Sequence, residues 1–267
     1  MLEEIKKFRD LVITWLVLFL FGGVFFFFFG MSTVSIFGKT IQLPLLTENS
    51  FSIEFFKMMK TDILPSSVTL VATGPLSALN TQTAIAFLLS FFVTFPYLIY
   101  RLVKYISPAL YGNERRALLS VLLPACLLFF GGAVFSYVYV IPPTFKALYV
   151  YTTATGVTPY FSMEAFVSSV FTFMLVAGIS FLLPIFMILL SFLGIVSSSF
   201  WWKYWRYAQL SFLIFSAIIT PDGSGVSMML LSLPLTLLYV AGAAISGRGK
   251  KETTEEYIEL PYTDNEE

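Results

Sequence analysis

From Leu11 to Gly30 the chain runs twenty residues without a charged side chain, and five more apolar stretches follow. A helix rises about 1.5 Å per residue, so about 20 apolar residues span the roughly 30 Å hydrocarbon core of a bilayer. Inside lipid every backbone N–H and C=O needs a partner within the protein, which leaves helices and closed barrels; runs this long are helices. The sequence therefore reads as an all-α integral membrane protein. Its six transmembrane helices fall at about 11–30, 76–100, 117–141, 162–190, 207–220 and 226–245. Composition agrees, with 57% of 267 residues hydrophobic. Soluble domains are not built this way.

The basic residues set the orientation. Six spans put both termini on one side. Lys39, Lys57, Lys60 and Lys146 fall on the other side, and the remaining twelve of the sixteen lysines and arginines fall on the side of the termini. Lysine and arginine gather on the cytoplasmic side of membrane proteins. The expectation is a multi-pass protein of the cell membrane with N- and C-termini in the cytoplasm. The first apolar run is longer than a signal-peptide core and no clear small-x-small site follows it, so it reads as a retained anchor. Residues 1–246 form the membrane domain. Residues 247–267 read as an acidic, disordered cytoplasmic tail.

The connections add detail. Residues 1–10 are charged and helix-forming, with Leu2, Ile5 and Phe8 suited to the membrane surface. Phe25 to Phe29 read as lipid-facing filler. In the long loop 31–79, the segment Phe51 to Lys60 alternates apolar and charged residues at helical spacing. It reads as an amphipathic helix at the interface or capping the bundle. Pro65 and Gly74-Pro75 close that loop. The third span is expected to end at Pro142-Pro143. Pro96, Pro124, Pro184 and Pro234 fall inside spans; each frees a carbonyl and bends its helix. Four bent helices favour a concave bundle, a docking surface for other helices. The fifth span, about 14 residues, covers only about 21 Å. Such a helix is either shielded or thins the bilayer around it. Phe200 to Trp205 form an aromatic cluster suited to the cytoplasmic interface.

Several functions are disfavoured. The chain has no histidine and one cysteine, Cys126. That leaves no catalytic residues, no His/Cys metal cluster and no cofactor to expect. Net charge is zero, and nothing points to nucleic acid. Glu164 and Asp222 lie at the outer ends of spans, and the span interiors hold only neutral polar groups such as Thr94, Ser180 and Gln209. A proton-coupled solute transporter usually needs a carboxylate at midplane. A small-solute transporter remains the alternative, as does a scaffold without peptide binding.

One connection stands apart. Tyr105 to Arg116 reads YISPALYGNERR. Ser107-Pro108 should break the preceding helix. Asn113 suits an N-cap, with Glu114 in the first turn. Taken alone the stretch reads either as a stop-transfer flank or as a recognition loop holding a carboxylate beside Arg115 and Arg116.

Pro108-Ala109-Leu110-Tyr111 followed by Glu114-Arg115-Arg116 resembles the first cytoplasmic loop signature of the TatC family, the polytopic receptor subunits of the twin-arginine protein translocase. Pro75 before span two, Pro96 to Tyr100, Phe135 to Pro142, Gly178 to Pro184 and Thr220-Pro221-Asp222 support the likeness, which covers roughly residues 1–250. The resemblance implies six spans with short helices five and six. It implies a receptor for twin-arginine signal peptides of folded cargo, working with small single-span subunits of the TatA/TatB type. Self-association in a larger complex and transport driven by the proton-motive force are also implied. By the same likeness Glu114 contacts the arginine pair, with Glu4 (or Glu3, one register off) as second carboxylate. Arg115, Arg116 and Tyr105 flank that site. Pro75, Pro96, Pro108, Asp222 and Gln209 are expected in structure or partner docking. Carboxylates are acceptor-only groups that pair bidentately with guanidinium and discriminate against lysine.

The chain departs from the family pattern at four places. Asn113 replaces a histidine. Glu3 to Phe8 matches the N-terminal motif loosely. Leu182 stands where the family has a membrane glutamate in span four, and Val240 where a carboxylate is common in span six. Gln209 or Ser180 is the expected neutral substitute.

Overall fold

The computed structural model describes residues 2–36, 39–46, 50–65, 68–106, 121–157, 160–192, 194–220 and 225–258; residues 2–5, 31–36, 39–46, 106, 226 and 248–258 are described in backbone only. Helix α1 is Leu2–Phe28 and passes into a hairpin of β1, Phe29–Ile36, and β2, Lys39–Leu46. The amphipathic α2, Phe51–Ile63, follows, then the short β3, Thr69–Val71. Helix α3 runs Ser77–Ile106. After residues 107–120, which lie outside the described set, come α4, Leu122–Phe135, a π-helical turn Ser136–Val140, and α5, Ile141–Ala154. Strand β4, Tyr160–Ser162, pairs in parallel with β3. Helices α6, Met163–Phe181, and α7, Leu183–Phe192, make the fourth apolar unit. The short α8, Ser198–Lys203, precedes α9, Trp205–Ile219, and α10, Val226–Ile258.

Among the described residues five helical stretches are long and apolar enough to cross a bilayer: Lys6–Phe28, Ser77–Tyr105, Leu122–Ala154, Met163–Phe192 and Ser227–Gly247. The sixth, Trp205–Ile219, has only 15 residues. In chain order that short helix is the fifth; the sixth, Ser227–Gly247, has 21 residues, so of the two final helices expected to be short only the fifth is.

Four expectations need correction. The chain is helical in its apolar spans, but the long connection between the first two also forms the β1–β2 hairpin, from Phe29 paired with Leu46 to Ile36 paired with Lys39. Val34, Ile36, Ile41 and the neighbouring threonines favour extended backbone, a preference hidden inside a loop sought only for helix. The third span does not end at Pro142-Pro143. Both prolines open α5, where a missing N–H costs little. The π turn before them absorbs the mismatch, with the Ile141 N–H donating to Ser136 O. Nor are all four in-span prolines interior. Pro96 and Pro234 lie within continuous helices, while Pro124 and Pro184 sit in first turns. Finally, the backbone stays helical to Ile258, well into the segment whose composition reads as disordered.

The core lies where α4, α6 and the π turn meet α2, α3, α5 and α10. Phe166, Val167, Val170 and Ala177 there are essentially inaccessible. α2 caps this core: Met59 and Ile63 are buried in it, and Tyr137 Oη donates to Asp62 at 2.9 Å. Glycines let helices touch. A Cβ on Gly132 would lie 2.8 Å from the Ala177 carbonyl oxygen, and one on Gly178 would lie 2.7 Å from the Phe129 ring. α4 and α6 are therefore in backbone contact, the arrangement small residues allow in membrane helices.

Candidate functional site

Helix α1 packs on α3, and the two run antiparallel. Gln82 Nε2 donates to Phe27 O at 3.1 Å near one end. Ser90 Oγ donates to Phe19 O at 2.6 Å midway. Arg101 Nη2 donates to Thr14 Oγ1 at 3.2 Å, and the Phe8 and Tyr105 rings meet at 5.6 Å at the other end. Trp15, Phe19, Phe87 and Phe91 form an aromatic ladder along the seam. Polar hydrogen bonds to carbonyls inside lipid hold such a seam in register, because water is not there to compete.

This register joins two segments nearly a hundred residues apart in sequence. Tyr105, half-buried, lies in the last turn of α3, nine residues before Glu114 in the sequence. Phe8 lies one helical turn after Glu4 on α1. Residues i and i+4 share a helix face, so the Glu4 position belongs to the face whose next turn meets Tyr105. The side chain of Glu4 lies outside the described set, as do Pro108, Glu114, Arg115, Arg116 and Asp222 entirely. Arg9 and Asp10 pair with each other at 3.0 Å on the exposed side of α1.

The other expected positions are scattered. Pro96 is half-buried within α3, one residue from Phe95, which stacks on Phe129 at 3.5 Å. Pro75 lies at the opposite end of α3 from Tyr105. There Thr73, Gly74, Ser77, Asn80 and Glu164 line an open cavity of about 210 Å³, and Asn80 Nδ2 donates to Glu164 at 3.2 Å. Gln209 is exposed on α9 and Ser180 half-buried on α6. Leu182 caps α6 at the break in the fourth span, and Val240 is 36% exposed on α10. The aromatic cluster is partly structural: Trp201 packs on Tyr239, whose hydroxyl donates to Trp201 O at 2.8 Å.

Arg101 and Thr14 were not among the expected site residues. The signal for Arg101 was available, since it is the first charge after twenty-four uncharged residues from Ser77. Read as one more topological charge, it gave no hint of its contact with α1.

The described residues form a bundle of apolar membrane-length helices, one further helix being short, with α1 and α3 paired along their length. The family model for the Sec-independent protein translocase protein (TatC) matches residues 3–234. The Sec-independent protein translocase protein TatC of Cenarchaeum symbiosum is 34% identical over 254 residues, covering 94% of each chain. That of Deinococcus radiodurans is 31% identical over 205 residues, covering 74% of this chain and 75% of the relative. A crystal structure of the twin arginine translocase receptor TatC superposes with a TM-score of 0.72 at 26% identity, over 92% of this chain and 99% of that one. The chain belongs to the TatC family. It is thus a membrane component of a protein translocase, a transport protein by family.

Proposed function

We propose that this chain is the signal-peptide receptor and core subunit of a twin-arginine translocation complex, exporting folded proteins with the proton-motive force. The observation that carries the reading is the Phe8–Tyr105 contact at 5.6 Å. It sets the helical turn after Glu4 against the last turn before the Glu114 loop. Two carboxylates from these segments suit two guanidinium groups, and Arg115 and Arg116 orient or repel the peptide's flanking charges. The basic flanks favour this end as the cytoplasmic one, with both termini there.

The small single-span subunits of the TatA/TatB type are the proposed partners, with further copies of the chain in the assembly. The uncovered face of α9 suits them, and Gln209 offers a neutral polar contact in place of the family carboxylates absent at Leu182 and Val240. Ser180 is the second candidate for that contact.

The experiment is binding of a twin-arginine signal peptide to the purified protein, beside a twin-lysine peptide. Glu114→Ala should weaken binding by about 2–5 kcal/mol if the pair is desolvated; Glu4→Ala should weaken it too. Equal binding of both peptides to the parent would sink the receptor reading and leave a scaffold. Loss with Glu114→Ala alone would move the second carboxylate to Glu3.

A further inference from the structure

Arg101 sits where a cation is expensive. On α3 it directly follows the uncharged run Ser77–Tyr100. On α1 it is level with Thr14, a turn inside Asp10, where the first apolar stretch has already begun. Its guanidinium is held on two sides. Nη2 donates to Thr14 Oγ1 at 3.2 Å, and the Tyr97 ring lies 5.7 Å from the guanidinium carbon. Thr14 is itself fixed, donating to Asp10 O at 2.6 Å. The Arg101 Nε is enclosed by protein and has no acceptor among the described residues, so only the Nη groups can meet an outside ligand. No carboxylate among the described side chains pairs with Arg101, and Asp10 is engaged by Arg9 instead.

A cation at the edge of the hydrocarbon, positioned by neighbours and with no carboxylate partner among the described side chains, calls for an anion at headgroup depth. Lys104, three residues on and exposed, adds a second positive charge on the same side of α3. With Nε enclosed and one Nη2 N–H on Thr14, the remaining Nη N–H groups present the end of the guanidinium, which suits two oxygens of a phosphate; an ammonium nearby adds a point charge. We propose that Arg101, with Lys104 beside it, binds the phosphate of an anionic phospholipid at the α1–α3 seam. The bound headgroup would complete the charge balance of the seam that holds the α1 and α3 ends together. This holds whether or not the adjoining end recognises signal peptides.

The test is native mass spectrometry of the full chain in nonionic detergent, titrated with phosphatidylglycerol or phosphatidylcholine. The parent should retain one phosphatidylglycerol more tightly than phosphatidylcholine. Arg101→Gln should weaken that one by about fivefold and Lys104→Gln by less, in line with the attraction of basic residues to anionic lipid. Arg101→Lys should keep part of the preference. Thr14→Val, which leaves the charge but removes its anchor, should lower it while leaving a folded protein to measure. Equal retention of the two lipids by the parent overturns the proposal. So does an unchanged preference in both Arg101→Gln and Thr14→Val. Displacement of the lipid by millimolar inorganic phosphate would show a site for the free anion and overturn it as well.

Discussion

The α4–α6 seam and the α9 helix are both apolar, yet they are built for opposite purposes. In the seam, Gly132 and Gly178 bring backbones together, and Phe129, Ala133, Phe173 and Ala177 are buried around them. On α9, Ser216 is the only fully buried residue, while Leu210, Ile214 and Ile218 are 58%, 51% and 78% exposed. Those three residues recur every fourth position and so line one face. In water such a face would signal misfolding; in a bilayer it faces lipid or another helix. A helix of 15 residues also falls short of the hydrocarbon thickness. Hydrophobicity alone does not separate the two regions. Residue size does, because only small residues let main chains approach.

Several changes should break or sharpen this contrast. The largest effect is expected from Gly178→Leu, since its side chain must enter space held by the Phe129 ring and by the Phe129 carbonyl, 3.1 Å from the Cβ position. Overpacking against backbone should cost about 3 kcal/mol, read as a lower melting temperature in detergent. An unchanged melting temperature would mean the two helices are free to separate.

A smaller loss follows from Thr144→Val. Its hydroxyl lies 2.8 Å from Ser227 Oγ, joining α5 to the start of α10, and both residues are fully buried. The hydroxyl also lies 2.7 Å from Val140 O, and losing a buried hydroxyl's hydrogen bonding costs about 1 kcal/mol per bond. Thermal unfolding of the variant beside Thr144→Ser separates the lost hydroxyl from the lost shape.

The smallest effect on stability is expected on α9. Ile218→Ala should change it by no more than about 0.5 kcal/mol. If α9 is a partner face, the same variant should reduce co-purification of single-span subunits while the melting temperature stays put. A drop in stability instead would show that α9 is held by this chain alone. The joint replacement Gln209→Leu with Ser180→Leu asks the polar half of that question. Unchanged partner recruitment and export would remove the neutral-contact idea.

Much of this was legible in the sequence. The apolar runs, the short fifth helix and the amphipathic α2 follow from hydropathy and period, and the loop motif pointed to the family. The hairpin was missed because strand preference over eight residues is weak beside a strong helical background. The third helix was cut short because a double proline reads as a stop. In the fold it is an N-terminal pair, entered through a π turn whose Ile141 N–H reaches back to Ser136.

What the sequence determined by itself was which segments leave water, since transfer to lipid is a sum over residues and needs no knowledge of neighbours. Only the tertiary structure decided which faces meet. The antiparallel register of α1 on α3 rests on Gly22 and Gly23 admitting Ser90 and Phe87, and on hydroxyls reaching carbonyls across the seam. That register brings Phe8 to Tyr105 and Thr14 to Arg101. Such pairings depend on the shapes of two surfaces at once, and a pattern read along one chain carries only half of each.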